Sequence, residues 1–318
     1  MKQLIAIMAV VAFIGTTSQV LQAQHVLVGT QVQAGKQVSI ERIDHSPWNG
    51  LLKKYVNETG HIDYSGLKNS QADMKVLDNY LASLSSASRT KAASREHQLA
   101  FWINAYNALT VKGILREYPT TTIRNHTDEN GGYNVWKHLL LPVGSSQISL
   151  DAIEHQVLRK MSEPRIHFAI VCASHSCPRL LNQAYVAENL ENQLTLNTKN
   201  FFANTENFQY NAATNQIKIS AIMQWFATDF GANQAAQLNF IAPYLPTQEA
   251  YKAAKQNTAS VSHLEYSWAL NVQTAAMVKA AKMKMKSQMT GAEKTGSQSK
   301  GSMSKESKME KTGGSGGR

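Results

Sequence analysis

Two cysteines in 318 residues are too few to build a fold from cross-links, as small secreted scaffolds do. They are also too few for a thiolate-rich zinc module. Between residues 24 and 278 there is no Gly-rich phosphate loop, no His-Glu-x-x-His and no Gly-x-Ser-x-Gly. A phosphate cradle, the common metalloprotease site and a serine nucleophile elbow are therefore without a signal. No sequence period of the kind that builds solenoids is visible. Past Ile14 no stretch approaches the roughly 20 apolar residues that a spanning helix requires.

What is present starts with a leader. Lys2 precedes an apolar run from Leu4 to Ile14, and Leu21-Gln22-Ala23 supplies a small-residue cleavage site. This predicts a signal peptide over residues 1–23 and an exported protein, periplasmic or secreted, in a compartment that permits disulfides. The net charge of +10 is unevenly placed. From Lys279 to Arg318 there are ten basic and three acidic side chains, and the body from Gln24 to Val278 is left near +2. The body thus carries no specific nucleic-acid signal. The tail, rich in Lys, Ser, Gly and Met, reads as disordered and suited to contact with anionic surfaces.

Periodicity organises the rest. After a loose lead-in over 24–44, apolar residues at spacings of three and four predict helices near 46–59, 71–86, 96–117, 150–161 and 187–203, with shorter ones across 221–230 and 233–256. Hairpins are expected at 139–149 and 208–220, and strands at 166–171 and 261–266. Helices mixed with hairpins, without strand–helix alternation, predict an α+β fold: a helix-rich domain around a small, mostly antiparallel sheet. A frayed helix over 272–286 leads into the tail.

Chemistry concentrates in residues 165–181, RIHFAIVCASHSCPRLL, which hold both cysteines. Cys172 closes an apolar run. Cys177 precedes Pro178, a residue suited to the first turn of a helix, where amide N–H groups and the dipole would favour a thiolate. The same pair can equally close a small loop as a Cys172–Cys177 disulfide, if the Cα atoms come within about 7 Å. A thiol nucleophile needs a base, and two histidines are candidates. His167 precedes Cys172 by five residues, which puts the two on opposite faces of a regular strand. His155 shares a helix face with Asp151 and Arg159, an arrangement that also describes a solvated ladder; Glu154 is its sequence neighbour. Asn104 and Asn107 interrupt an otherwise apolar helix, either to line a polar pocket or to tie the helix to a loop. His167, Cys172, His175 and Cys177 are metal-ligand types, but their spacing matches no standard zinc site, and no cofactor is expected.

Three blocks, AFWINAYNALTVKGIL, ISLDAIEHQVLRK and RIHFAIVCASHSCPRL, resemble those of the domain of unknown function 547 family. Weaker likenesses at Trp48–Leu67, Ile219–Phe230 and Leu264–Asn271 extend the resemblance over about 45–271. Ser267 stands where the family usually has Asp before the Trp. The resemblance gathers Trp102, Asn104, Tyr106, Asn107, Glu154, His155, His167, Cys172 and Cys177 into family blocks and implies no reaction. The Cys/His content suggests an analogy with papain-like or transglutaminase-like thiol folds. Two readings follow. One is a thiol hydrolase or acyl-transferase acting on a peptide or amide, with Cys177 (or Cys172) as nucleophile, His155 or His167 as base, Glu154 or Asp151 as orienting group and Asn104 as an oxyanion or pocket residue. The other is a non-catalytic exported module, closed by the disulfide, that binds a peptide, polymer or protein.

Overall fold

A computed structural model of the chain describes residues 25–128, 132–277 and 279. The leader over 1–23 and the tail from 280 onward lie outside the described residues. The first described segment pairs with later chain twice: β1 (Val26–Leu27) beside residues 139–140, and β2 (Val38–Ser39) beside 87–88, both in parallel. Pro47 in its first turn starts α1 (Ser46–Tyr55), which buries Trp48, Leu51, Leu52 and Tyr55. Asp63 caps α2 (Tyr64–Asn69) by accepting from the Gly66 N–H. Ser70 caps α3 (Gln71–Ser85), and β3 (Ala87–Ser88) follows.

The centre of the fold is α4 (Arg95–Glu117). Ser94 caps it through the His97 N–H, and it stops before Tyr118-Pro119, where a residue preceding proline is driven out of the helical region. From Leu99 to Leu115 nearly every side chain is buried, which marks a helix enclosed on all sides. Next come α5 (Val135–His138) and the hairpin of β4 (Leu139–Val143) with β5 (Ser146–Ser149). The helix expected over 150–161 is broken into three pitches. Ser149 caps α6 (Leu150–Ala152), the chain widens to a π turn over Ile153–Leu158, and it tightens to a 3₁₀ turn over Arg159–Met161. Beyond it, α7 (Leu190–Ala203) leads to β6 (Phe208–Asn211) antiparallel to β7 (Gln216–Ser220). Then come α8 (Ile222–Trp225), α9 (Ala227–Phe230), α10 (Gln234–Ile241), α11 (Gln248–Gln256) and β8 (Ser260–Leu264), which runs parallel to β7.

The class is α+β as expected, with the strands of the described residues shared among three small sheets: β1-β4-β5, β2-β3 and β6-β7-β8. Apolar side chains form a large cluster around α4 and a second around Phe168, Phe201, Phe202, Ile217 and Phe230.

Two local expectations are corrected. Residues 166–171 form no strand: Pro164–Phe168 is a 3₁₀ turn, started by Pro164 and capped by the Glu163 carboxylate on the Arg165 N–H. Residues 178–186 form no helix, so Cys177 is not at a helix N-terminus. The physical reason is visible in the hydrogen bonds. Buried backbone groups must find partners, and along 168–186 side-chain amides supply them. Asn107 accepts from the Val171 N–H and donates to the Ala169 carbonyl, both at 3.0 Å. Asn197 donates to the Phe168 and Arg179 carbonyls. Asn104 accepts from the Tyr185 N–H at 2.9 Å and donates to its carbonyl at 2.7 Å. Gln193 does the same for Val186 and Ala184. An irregular segment is thereby held in the interior by four amides instead of a strand ladder.

Candidate functional site

The π turn over Ile153–Leu158 carries Glu154 and His155, and such widened turns often occur at functional sites. Here it faces a cavity of about 520 Å³ whose wall includes Tyr106, Glu154, His155, His167, Cys172 and Cys177. Asp151 lines it too, so six of the seven residues given roles above, all but Asn104, meet around one space. Asn104 does not: it is fully buried, and its amide is used up by both backbone groups of Tyr185, the helix-to-loop tie.

Cys172 and Cys177 are joined to each other, with Cα atoms 6.4 Å apart. Among the described residues there is no free cysteine. Cys177 is 8% exposed, while Cys172 is half-buried and faces the cavity. The Cys172 N–H donates to Cys177 Sγ at 3.0 Å, and the Tyr266 hydroxyl donates to the same sulfur at 3.2 Å. Tyr266 also lies 3.2 Å from Cys172 Sγ and 2.5 Å from Ser174 Oγ. Burial raises the Tyr266 phenol above its ordinary range, so it stays a proton donor at neutral pH. The loop between the cysteines is sewn to the C-terminal stretch: His175 N–H to Ala269 O at 2.6 Å, Ser176 N–H to Ser267 O at 3.2 Å, and Asn271 N–H to Ala173 O at 3.1 Å. Ala173 within it has φ +58°, a left-handed conformation that a residue with a Cβ seldom takes.

Neither histidine has a hydrogen bond to sulfur; each has other partners. His167 Nε2 donates to Asp229 Oδ2 at 2.8 Å, and its ring stacks on Phe226 at 4.1 Å. Burial lowers its pKa to about 4, so the ring is neutral at pH 7. Asp229 is clasped by Arg159 at 2.6 and 2.7 Å, and those charge-assisted bonds, with the His167 contact, hold its carboxyl down at about 2. His155 Nδ1 accepts from Arg159 at 3.0 Å, and its Nε2 is 3.9 Å from Asp151 Oδ1, so the Asp-His-Arg ladder is formed. Glu154 accepts from the Tyr106 hydroxyl at 3.2 Å; burial raises its carboxyl pKa.

Much of the remaining wall is aromatic, with Arg124, Thr127, Asn134 and Lys137 beside the rings. Trp225, Tyr266 and Trp268 touch one another at ring separations of 4.7 to 5.8 Å, and Trp136 abuts Trp268 at 6.2 Å. Trp225 is 48% exposed, a large apolar ring offered to solvent at the pocket mouth. Arg124 lies over the Trp268 ring at 5.5 Å. Sequence reasoning missed Asp229, Arg159 as its partner, Tyr266 and this aromatic wall as site residues. Asp229 stood inside the Ile219–Phe230 block, but nothing in its spacing points to a histidine 62 positions earlier. No described group of three or more His, Cys, Asp or Glu side chains is arranged to hold a metal ion. No described helix is long and apolar enough to cross a membrane.

The family model described as "Protein of unknown function, DUF547" matches residues 90–202 and supports the resemblance seen in the sequence. The matched span contains α4, the π turn and both cysteines. Asp229, Trp225, Tyr266 and Trp268 lie outside it. No curated protein and no solved structure matches the chain.

Proposed function

We propose that this chain is an exported binding module that takes a segment of a peptide or polymer into the aromatic-walled pocket, with Cys172 and Cys177 closed as a disulfide in the pocket wall. The observation that carries this reading is the composition of the cavity. About 520 Å³ is bordered by Trp136, Trp225, Tyr266 and Trp268 together with polar and charged groups that include Arg124, Lys137, Glu154 and His155, and both sulfurs are bonded to each other. Ligand sites are commonly apolar clefts with a few polar groups that fix orientation. Aromatic rings supply large contact area at small entropic cost, and each Tyr or Trp retains a polar handle. The basic tail is read as a tether to anionic surfaces.

The test has two arms. Thiol titration of the mature protein, native and denatured, is expected to find no reactive thiol until reductant is added. Tryptophan fluorescence is then followed against a panel of short peptides and soluble oligosaccharides. A saturable change that is lost in Trp225→Ala supports the reading; one fast-labelling thiol in the untreated protein overturns the disulfide. N-terminal sequencing of the mature protein tests the leader, with Gln24 as the expected first residue.

One observation favours the thiol-enzyme reading: two donors, the Cys172 N–H and the Tyr266 O–H, converge on Cys177 Sγ. In that reading reduction releases Cys177 as nucleophile, with His155 or His167 as base and Glu154 or Asp151 as orienting group. It requires turnover of an activated ester or amide by reduced protein only, abolished in Cys177→Ser.

A further inference from the structure

We propose that the Cys172–Cys177 disulfide is an exchange site. It takes two electrons from a dithiol that enters the aromatic pocket, with Cys172 Sγ as the sulfur attacked and Cys177 as the departing thiolate. The inference rests on the disulfide reading above and deepens it.

Three observations assign these roles. The disulfide lies in the wall of a cavity instead of the core, so an attacking sulfur has a path to it. Both cysteines line the pocket, and they differ in exposure: Cys172 is half-buried, whereas Cys177 is 8% exposed. The hydrogen bonds differ in one respect. Cys177 Sγ receives a backbone N–H, that of Cys172 at 3.0 Å, which Cys172 Sγ lacks among the described residues; the Tyr266 hydroxyl is 3.2 Å from both sulfurs and the Ser174 hydroxyl is 3.2 Å from Cys172 Sγ. The Ser174 hydroxyl lies 2.5 Å from the Tyr266 oxygen, and when it is the donor of that pair the phenol proton is left for whichever sulfur gains charge. Donors that already point at an atom stabilise negative charge when it develops there, and in exchange the better-stabilised thiolate leaves faster. The accessible sulfur is thus attacked while the enclosed one departs into a prepared anion site.

The balance is as follows. One thiolate of the dithiol attacks Cys172 Sγ. The S–S bond breaks, its electron pair goes to Cys177 Sγ, and a mixed disulfide joins the substrate to Cys172. The second thiol of the substrate loses its proton to solvent and attacks its own bound sulfur. This closes the substrate's disulfide and releases Cys172 as a thiolate, and the two protein sulfurs take up the two protons. The dithiol is oxidised and the protein reduced, and a disulfide of the same class drives the reverse. The contacts of His175, Ser176 and Ala173 with residues 267–271 keep the two cysteines close while the bond is open.

The experiment uses the mature oxidised protein at pH 7 with dithiothreitol and no denaturant. Samples are quenched in acid, alkylated and weighed. Complete reduction in native buffer is expected, with Tyr266→Phe slower by about tenfold to a hundredfold, the worth of one hydrogen bond to a charged group. Ser174→Ala, which keeps the Tyr266 ring and hydroxyl, is expected to slow it less. A brief pulse of limiting glutathione followed by alkylation should leave glutathione on Cys172 and the alkyl label on Cys177. A disulfide that resists dithiothreitol until urea is added overturns exchange and leaves the disulfide reading standing. Two thiols labelled before any reductant overturn both. Reduction at equal rates in wild type, Tyr266→Phe and Ser174→Ala, or glutathione found on Cys177, overturns the assignment of roles.

Discussion

Asn107 offers a direct test of how the cysteine-bearing segment is held. Its side chain is 1% exposed and makes two hydrogen bonds of 3.0 Å, accepting from the Val171 N–H and donating to the Ala169 carbonyl. Asn107→Ala removes both at once, from a place where neither backbone group has another partner among the described residues. Each buried group left unsatisfied costs about 1–3 kcal/mol, so the loss is about 2–6 kcal/mol. That is a large part of the roughly 5–15 kcal/mol that stabilises a typical native protein. In urea unfolding followed by tryptophan fluorescence and circular dichroism, with the disulfide intact, the midpoint should fall by about 0.7–3 M at an m-value of roughly 2–3 kcal/mol/M. Asn107→Asp adds a signed test. Its carboxylate still accepts from Val171 N–H but meets the Ala169 oxygen without a proton to donate. Protonation restores that donor, so Asn107→Asp should gain on Asn107→Ala as pH falls toward 4. Asn125, whose amide reaches only the hydroxyls of Thr120 and Thr121 at the surface, is the control, and its Ala variant should cost less than about 0.5 kcal/mol. If Asn107→Ala shifts the midpoint no more than Asn125→Ala does, the amide clamp does not hold the segment.

Acid should destabilise the fold in a defined window. Burial lowers the pKa values of His45 and His167 from 6.5 to about 4. Between those values the unfolded chain binds protons that the folded chain refuses, so stability falls as pH drops from about 6.5 to about 4, by up to roughly 1.4 kcal/mol per pH unit for each histidine. Asp229, held at about 2 by Arg159, withdraws its contribution at still lower pH, from about 3.8 downward. Urea midpoints measured across pH 7 to 3 check both, and a flat profile between 6.5 and 4 refutes the burial of these rings. Asp229→Asn should weaken the Arg159 clasp and cost about 1.5–3 kcal/mol, the worth of a charge-assisted bond; a cost near zero in the same urea assay would place the pair in the surface class. Gly60→Ala should cost about 2 kcal/mol or more. Gly60 has φ +83°, and an added Cβ would come within 2.6 Å of Arg179 Cα and 2.7 Å of Leu180 N, directly behind the cysteine loop.

The parts of this fold that were legible in the sequence are those whose hydrogen bonds are local. The capped helix Arg95–Glu117, the hairpin at 139–149 and the hairpin at 208–220 each close their own backbone bonds, so periodicity and turn chemistry suffice to find them. Residues 166–171 were misread for the opposite reason. Ile166, Phe168, Ile170 and Val171 have the composition of a buried strand, but the backbone partners are amides on Asn107 and Asn197, contributed from two helices. A side chain that replaces a strand leaves no period behind. The Asn pair in α4 was the visible half of that arrangement, since two asparagines in a buried helix demand partners. Its other half became identifiable only when the segment beside it proved irregular. The same distinction separates the site residues. Asp151, His155 and Arg159 share one helical face and were visible as a ladder. Asp229 reaches His167 from 62 positions further along the chain, and Tyr266 reaches the pocket from 89 beyond Cys177. Both serve by completing contacts on earlier residues: Asp229 orients a neutral histidine, and Tyr266 spans both sulfurs. The sequence blocks around residues 90–202 therefore contain the sulfurs and both histidines but not Asp229 and Tyr266, which bond to them. Transferring a role to Cys177 or His167 from those blocks alone would omit the contacts that decide what either can do.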